Sequence, residues 1–151
     1  MPDPVLTPDR YPHLADEGYQ PESPQTPFYN CIAWVVNDIG RWWWPHPNSY
    51  WPPGCRLENS VEAFVEMFAH LGFAECANGD VEAGFEKIAL YAKFDLPTHA
   101  ARQEPDGKWT SKIGQYIDMK HTLVGLEGPE YGRVAKFFRK SIEVDPGFGT
   151  G

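Results

Sequence analysis

The chain predicts an α+β domain in which helices come first and a three- or four-stranded antiparallel sheet follows, and three observations carry that expectation. Residues 30–36, Asn-Cys-Ile-Ala-Trp-Val-Val, are apolar on nearly every side, as in a helix buried within a fold. Val61, Phe64, Val65, Phe68 and Leu71 recur at helical spacing behind Asn59 and Glu62, which match a capping box, and Gly72 stops the run. The period then shortens to that of strands over 87–93 and, after Leu96-Pro97, over 98–103, and a Pro-Asp-Gly turn at 105–107 joins the second of these to 108–112 as a hairpin.

The other elements follow from the same signals. Asn30 is a suitable N-cap for the first helix, and Gly40 stands just past its expected end. Residues 41–57, with Trp42-Trp43-Trp44-Pro45 and Tyr50-Trp51-Pro52-Pro53-Gly54, read as loop. A short segment at 74–77 precedes an Asn-Gly-Asp turn at 78–80. Residues 115–127 read as polar loop with partial helix, and 132–140, with Val134, Phe137 and Phe138, as the last strand.

At 151 residues the chain has the length of one domain, with 42% apolar and 15% aromatic side chains to build a core. Seven of its fifteen prolines fall in 1–27, which predicts an extended arm ahead of a single domain at 28–140 and a tail at 141–151. A net charge of −8 argues against a nucleic-acid partner. The charge is uneven: 6 basic face 16 acidic side chains over 1–107, against 7 and 3 over 108–140. No apolar run approaches the ~18–20 residues that span a bilayer, and Met1-Pro2-Asp3-Pro4 lacks the basic and apolar start of a secretory signal. Membrane association is therefore not expected, and a cytoplasmic location is.

Three cysteines, Cys31, Cys55 and Cys76, form neither a disulfide framework nor a zinc-finger spacing. Cys55 in its Pro-Pro-Gly loop and Cys76 after a core helix read as structural thiols. His13, His46 and His70 sit in arm, loop and helix end, and no two of the five histidines hold a metal-ligand spacing. Neither a metal nor another cofactor is expected. Cys31 differs because it opens a helix, where unpaired N–H groups favour a thiolate. A nucleophilic thiol also needs a base and an orienting group, and His99 on the downstream hairpin strand is the candidate base.

The segment Gln25-Thr-Pro-Phe-Tyr-Asn-Cys-Ile-Ala-Trp-Val-Val36, followed far downstream by Thr98-His-Ala-Ala-Arg-Gln103, resembles the papain-like cysteine hydrolase superfamily. The likeness is closest to its small bacterial members, the NlpC-type cell-wall peptidases and amidase-like domains. The same stretches, with the Trp-Trp-Trp-Pro loop and Gly107-Lys-Trp-Thr-Ser-Lys-Ile-Gly114, also resemble a bacterial domain family of no assigned activity. The resemblance covers roughly residues 25–140. It implies a papain-like core, Cys31 as nucleophile, His99 as general base and Gln25 as oxyanion-hole donor beside the Cys31 N–H. It also implies a peptide, protein or peptidoglycan-like substrate.

The group that would orient His99 is not evident. With Gln103 opposite Lys108, His99 lies opposite Lys112 and Ser111 faces away, while a one-residue bulge exchanges them. Ser111 is the candidate on that strand, with Asp118 and His121 as rivals. Trp43, Trp44 and Trp51 are candidates for substrate stacking, against a plain role in closing the core. At least one of Trp42–Trp44 must be partly exposed, because consecutive side chains cannot all face inward. Two other functions fit the residues: a non-catalytic peptide- or glycan-binding module using the loop at 42–51, and a small acidic interaction protein with a basic partner.

Overall fold

A computed structural model describes residues 3–142. Among them the chain forms seven strands and three short helices: α1 (Leu14–Glu17), β1 (Tyr19–Ser23), α2 (Cys31–Val35), α3 (Val61–His70), β2 (Ala74–Cys76), β3 (Phe85–Lys93), β4 (Leu96–Gln103), β5 (Trp109–Lys112), β6 (Asp118–His121) and β7 (Arg133–Ser141), with a 3₁₀ turn at Val124–Leu126. The strands make one antiparallel sheet in the order β1-β6-β5-β4-β3-β7-β2.

This corrects the expected architecture. The domain is β-rich, not a papain-like set of helices packed on three or four strands. Three of the strands escape the sequence pattern for physical reasons. β1 lies in the Pro-rich arm, where Pro21 is tolerated because the strand is an edge. β2 spans three residues on the opposite edge. β6 carries only one apolar residue, Met119, and buries Asp118 and His121 through side-chain partners instead. The first helix is also shorter than expected: its C-cap is Val36, and Asn37 turns left-handed at φ 61°, ahead of Gly40.

Both faces of the sheet are covered. On one, α2, α3, Trp43 and Trp51 pack on Ile88, Leu90, Ala100 and Phe138. On the other, Tyr11 and Leu14 of the arm pack with Ala89, Tyr91, Trp109, Met119 and Leu126. The arm therefore belongs to the core. Burying a side chain the size of Leu or Phe contributes about 1.5–3 kcal/mol, so each face holds its covering segment firmly. In α3 the cap is Ser60, whose hydroxyl accepts from the Ala63 N–H at 3.1 Å, one residue after the expected Asn59. The expected tail at 141–151 lies outside the described residues from 143 onward; Ser141 itself ends β7. No helix among the described residues is long and apolar enough to cross a membrane.

The feature that shapes the site is a fork in the sheet. β4 and β5 pair only at Arg102↔Thr110 and Gln103↔Trp109, and beyond these the two strands part. Helix α2 packs against both of these strands.

Candidate functional site

Asn30 fixes the start of α2. Its Oδ1 accepts from the Ala33 N–H (3.2 Å) and the Trp43 N–H (3.1 Å), and its Nδ2 donates to the Trp43 carbonyl at 2.6 Å. One buried amide thus caps the helix and staples the Trp loop to it. Cys31 follows as the first helical residue and is buried.

A helix of five residues supplies little dipole, and the expectation of an acidic thiol is reversed. Burial pushes the Cys31 thiol up to about 11, although the N–H groups of Ala100, Ile32 and Cys31 itself and the charge of Lys112 all favour the thiolate. His99 lies at 1% exposure on β4, stacked face to face on Tyr131 (centroids 4.0 Å apart, planes at 9°) and edge-on to Tyr91 at 5.6 Å. Burial, with a further contribution from His121, drives its pKa well below 6.5. Its Nε2 has no hydrogen-bond partner among the described residues. At rest the two groups are a neutral thiol and a neutral imidazole.

Cys31 and His99 line the same cavity of about 610 Å³, together with Gln25, Trp42, Trp44 and Tyr131. The Thr98 hydroxyl donates to the Tyr131 carbonyl at 2.6 Å and so anchors the ring that stacks on His99. At the rim Arg10 and Glu130 form a two-pronged pair, with Nε–Oε1 and Nη2–Oε2 both 3.0 Å. Apart from that pair the lining side chains are uncharged, with Tyr11, Trp42, Trp44, Tyr116 and Tyr131 as the aromatic part.

The candidate orienting groups fall differently. Gln103 pairs with Trp109 instead of Lys108, so the hairpin is shifted by one and Ser111 shares the face of His99. Ser111 does not bond to His99; its Oγ meets His121 Nε2 at 2.7 Å. The His121 Nδ1 lies 2.8 Å from the Thr122 carbonyl, which can only accept, so Nδ1 carries the proton and Nε2 accepts from Ser111. Asp118 pairs with Lys112 across the strands and accepts from the Tyr29 hydroxyl at 2.8 Å, on the α2 side of the sheet. The aromatic clasp of Tyr131 and Tyr91 is what holds the His99 ring. Sequence reasoning missed Tyr131; its signal is a tyrosine held in a tight Gly128–Gly132 bridge.

Among the tryptophans the alternation is clear. Trp43 and Trp51 are core residues, and Trp43 Nε1 donates to Asp38 at 2.8 Å. Trp44 is half-buried, set edge-on to Phe64 at 5.4 Å and facing the cavity, with Trp42 beside it. Cys55 and Cys76 lie away from the cavity, both partly exposed. Among the described residues no three His, Cys, Asp or Glu side chains gather as metal ligands.

A β-rich antiparallel domain with a buried thiol and imidazole on one cavity thus presents a cysteine-centred candidate site. Residues 20–139 match the family described as a domain of unknown function (DUF7689), and the chain belongs to that family. No curated protein and no solved structure matches it.

Proposed function

We propose that the domain is a cysteine-dependent amide-bond hydrolase, with Cys31 as nucleophile and His99 as general base. The observation that carries this reading is that the two side chains share one cavity with Gln25 while His99 keeps an unpartnered ring nitrogen. The motif-level resemblance of 25–36 and 98–103 to papain-like cysteine hydrolases points the same way.

Since both groups rest neutral, the nucleophile is made during attack. The thiol proton passes to the His99 imidazole as Sγ bonds to the carbonyl carbon, giving a tetrahedral oxyanion. The Gln25 amide and the Cys31 N–H stabilise that oxyanion, and the imidazolium returns the proton to the leaving amine. Water, activated by His99, then opens the thioester. A wall of uncharged polar and aromatic side chains around a self-neutralising Arg10–Glu130 pair suits an uncharged stretch of a peptide, protein or peptidoglycan-like amide. We place this activity in the cytoplasm.

The test is intact-mass analysis after exposure to p-nitrophenyl acetate. An acyl adduct should form on Cys31 in preference to Cys55 and Cys76, vanish in Cys31→Ala, and form at least ~10²-fold more slowly in His99→Ala. Equal, slow acylation of all three cysteines, or an unaffected His99→Ala, refutes it. In that case aromatic binding through Trp42 and Trp44 becomes the function to pursue.

A further inference from the structure

Lys112 is fully buried, which for a lysine demands partners. Its Nζ donates to the Thr26 carbonyl at 2.7 Å and to the Gly114 carbonyl at 2.6 Å, and it lies 5.0 Å from the centre of the Tyr29 ring. Thr26 adjoins Gln25, and Gly114 lines the cavity, so one ammonium ties two walls of the site together. An apolar side chain would fill this space without the cost of burying a charge. Lys112 is also the cation that favours the Cys31 thiolate.

We propose that Lys112 is a positioning residue for Cys31: its buried ammonium supplies the counter-charge to the thiolate and holds Gln25 at the cavity. This rests on the hydrolase reading and deepens it. The groups facing the ammonium are Cys31 from α2, Asp118 from β6 and the Tyr29 ring from the segment before α2. Arg102 on β4 and Lys120 on β6 are engaged elsewhere, with Glu104 and Asp106. Burial lowers the Lys112 pKa to about 8, while Asp118 and Cys31 oppose that shift. The counter-charge is therefore present at neutral pH and is withdrawn just above it.

This gives a signature that ordinary thiol chemistry lacks. Alkylation by iodoacetamide, mapped by peptide mass on the whole protein, follows the thiolate and climbs about tenfold per pH unit for an ordinary thiol below its pKa, with Cys55 as the reference in the same chain. For Cys31 the climb should bend near pH 8, where loss of the Lys112 proton cancels the gain. Lys112→Arg keeps a charge that does not titrate, so the bend should vanish with the neutral-pH rate retained. Lys112→Met should remove the bend and slow alkylation at pH 7 by about tenfold or more, the effect of one unit in pKa. A wild-type profile without the bend, a bend that persists in Lys112→Arg, or a folded Lys112→Met with unchanged rate overturns the proposal. The wild-type and arginine profiles decide the matter even where the methionine variant fails to fold. A bend without p-nitrophenyl acetate acylation sinks the hydrolase reading alone; acylation without a bend sinks the Lys112 role alone.

Discussion

Asn30 offers the sharpest test of how the site is held, and Asn30→Ala is the perturbation. The substitution removes the cap on α2 and both bonds to the Trp43 backbone, in a residue only 3% exposed. Loss of an N-cap costs about 1 kcal/mol. Each of the two buried backbone groups of Trp43 left without a partner adds ~1–3 kcal/mol, for a total of roughly 3–7 kcal/mol. For a chain of this length that corresponds to a fall in Tm of about 10 °C. Urea unfolding monitored by tryptophan fluorescence measures the difference directly. A loss below about 1 kcal/mol in Asn30→Ala would show that the Trp loop is held by packing alone.

Further outcomes follow from other contacts. His99 and His121 have folded pKa values depressed below 6.5, His121 to about 4, so the unfolded chain binds protons first and stability present at neutral pH drains as pH falls. Each imidazole removes about 1.4 kcal/mol per unit between pH 6.5 and 5, and a urea midpoint that stays flat over that window contradicts the burial argument. Trp43→Ala should lose about 3–5 kcal/mol of stability as a core truncation, whereas Trp42→Ala should leave the urea midpoint nearly unchanged and alter only reaction at Cys31. Gly132→Ala would set a Cβ 2.1 Å from the Ala92 carbonyl oxygen at φ 76°, and a cost of about 3 kcal/mol or more in thermal unfolding is expected.

How far the sequence was legible depends on what each residue answers to. Cys31 and His99 could be placed because a capped helix start and a hairpin strand are local patterns. The sheet could not be counted, because its missing strands are stabilised non-locally. β1 needs only the free edge of β6, and Asp118 and His121 become buried because Tyr29 and Ser111, distant in sequence or across a strand, bond to them. The side on which Ser111 falls turned on one residue of loop: the Glu104 N–H bonds the Lys108 carbonyl, so Lys108 joins the turn and every later side chain on β5 changes face. The acidity of Cys31 failed for a different reason. A helix-start rule ignores burial, and here burial outweighs three N–H groups and an ammonium.

The arm that covers one face of the sheet also contributes Val5, Arg10 and Tyr11 to the cavity wall, while the family match begins at residue 20. The leading segment therefore does two jobs at once, walling the cavity and filling the core under one face of the sheet. A change at Val5 would re-tailor what enters the cavity, whereas one at Tyr11, edge-on to Tyr131 at 5.7 Å, would reach the ring that stacks on His99.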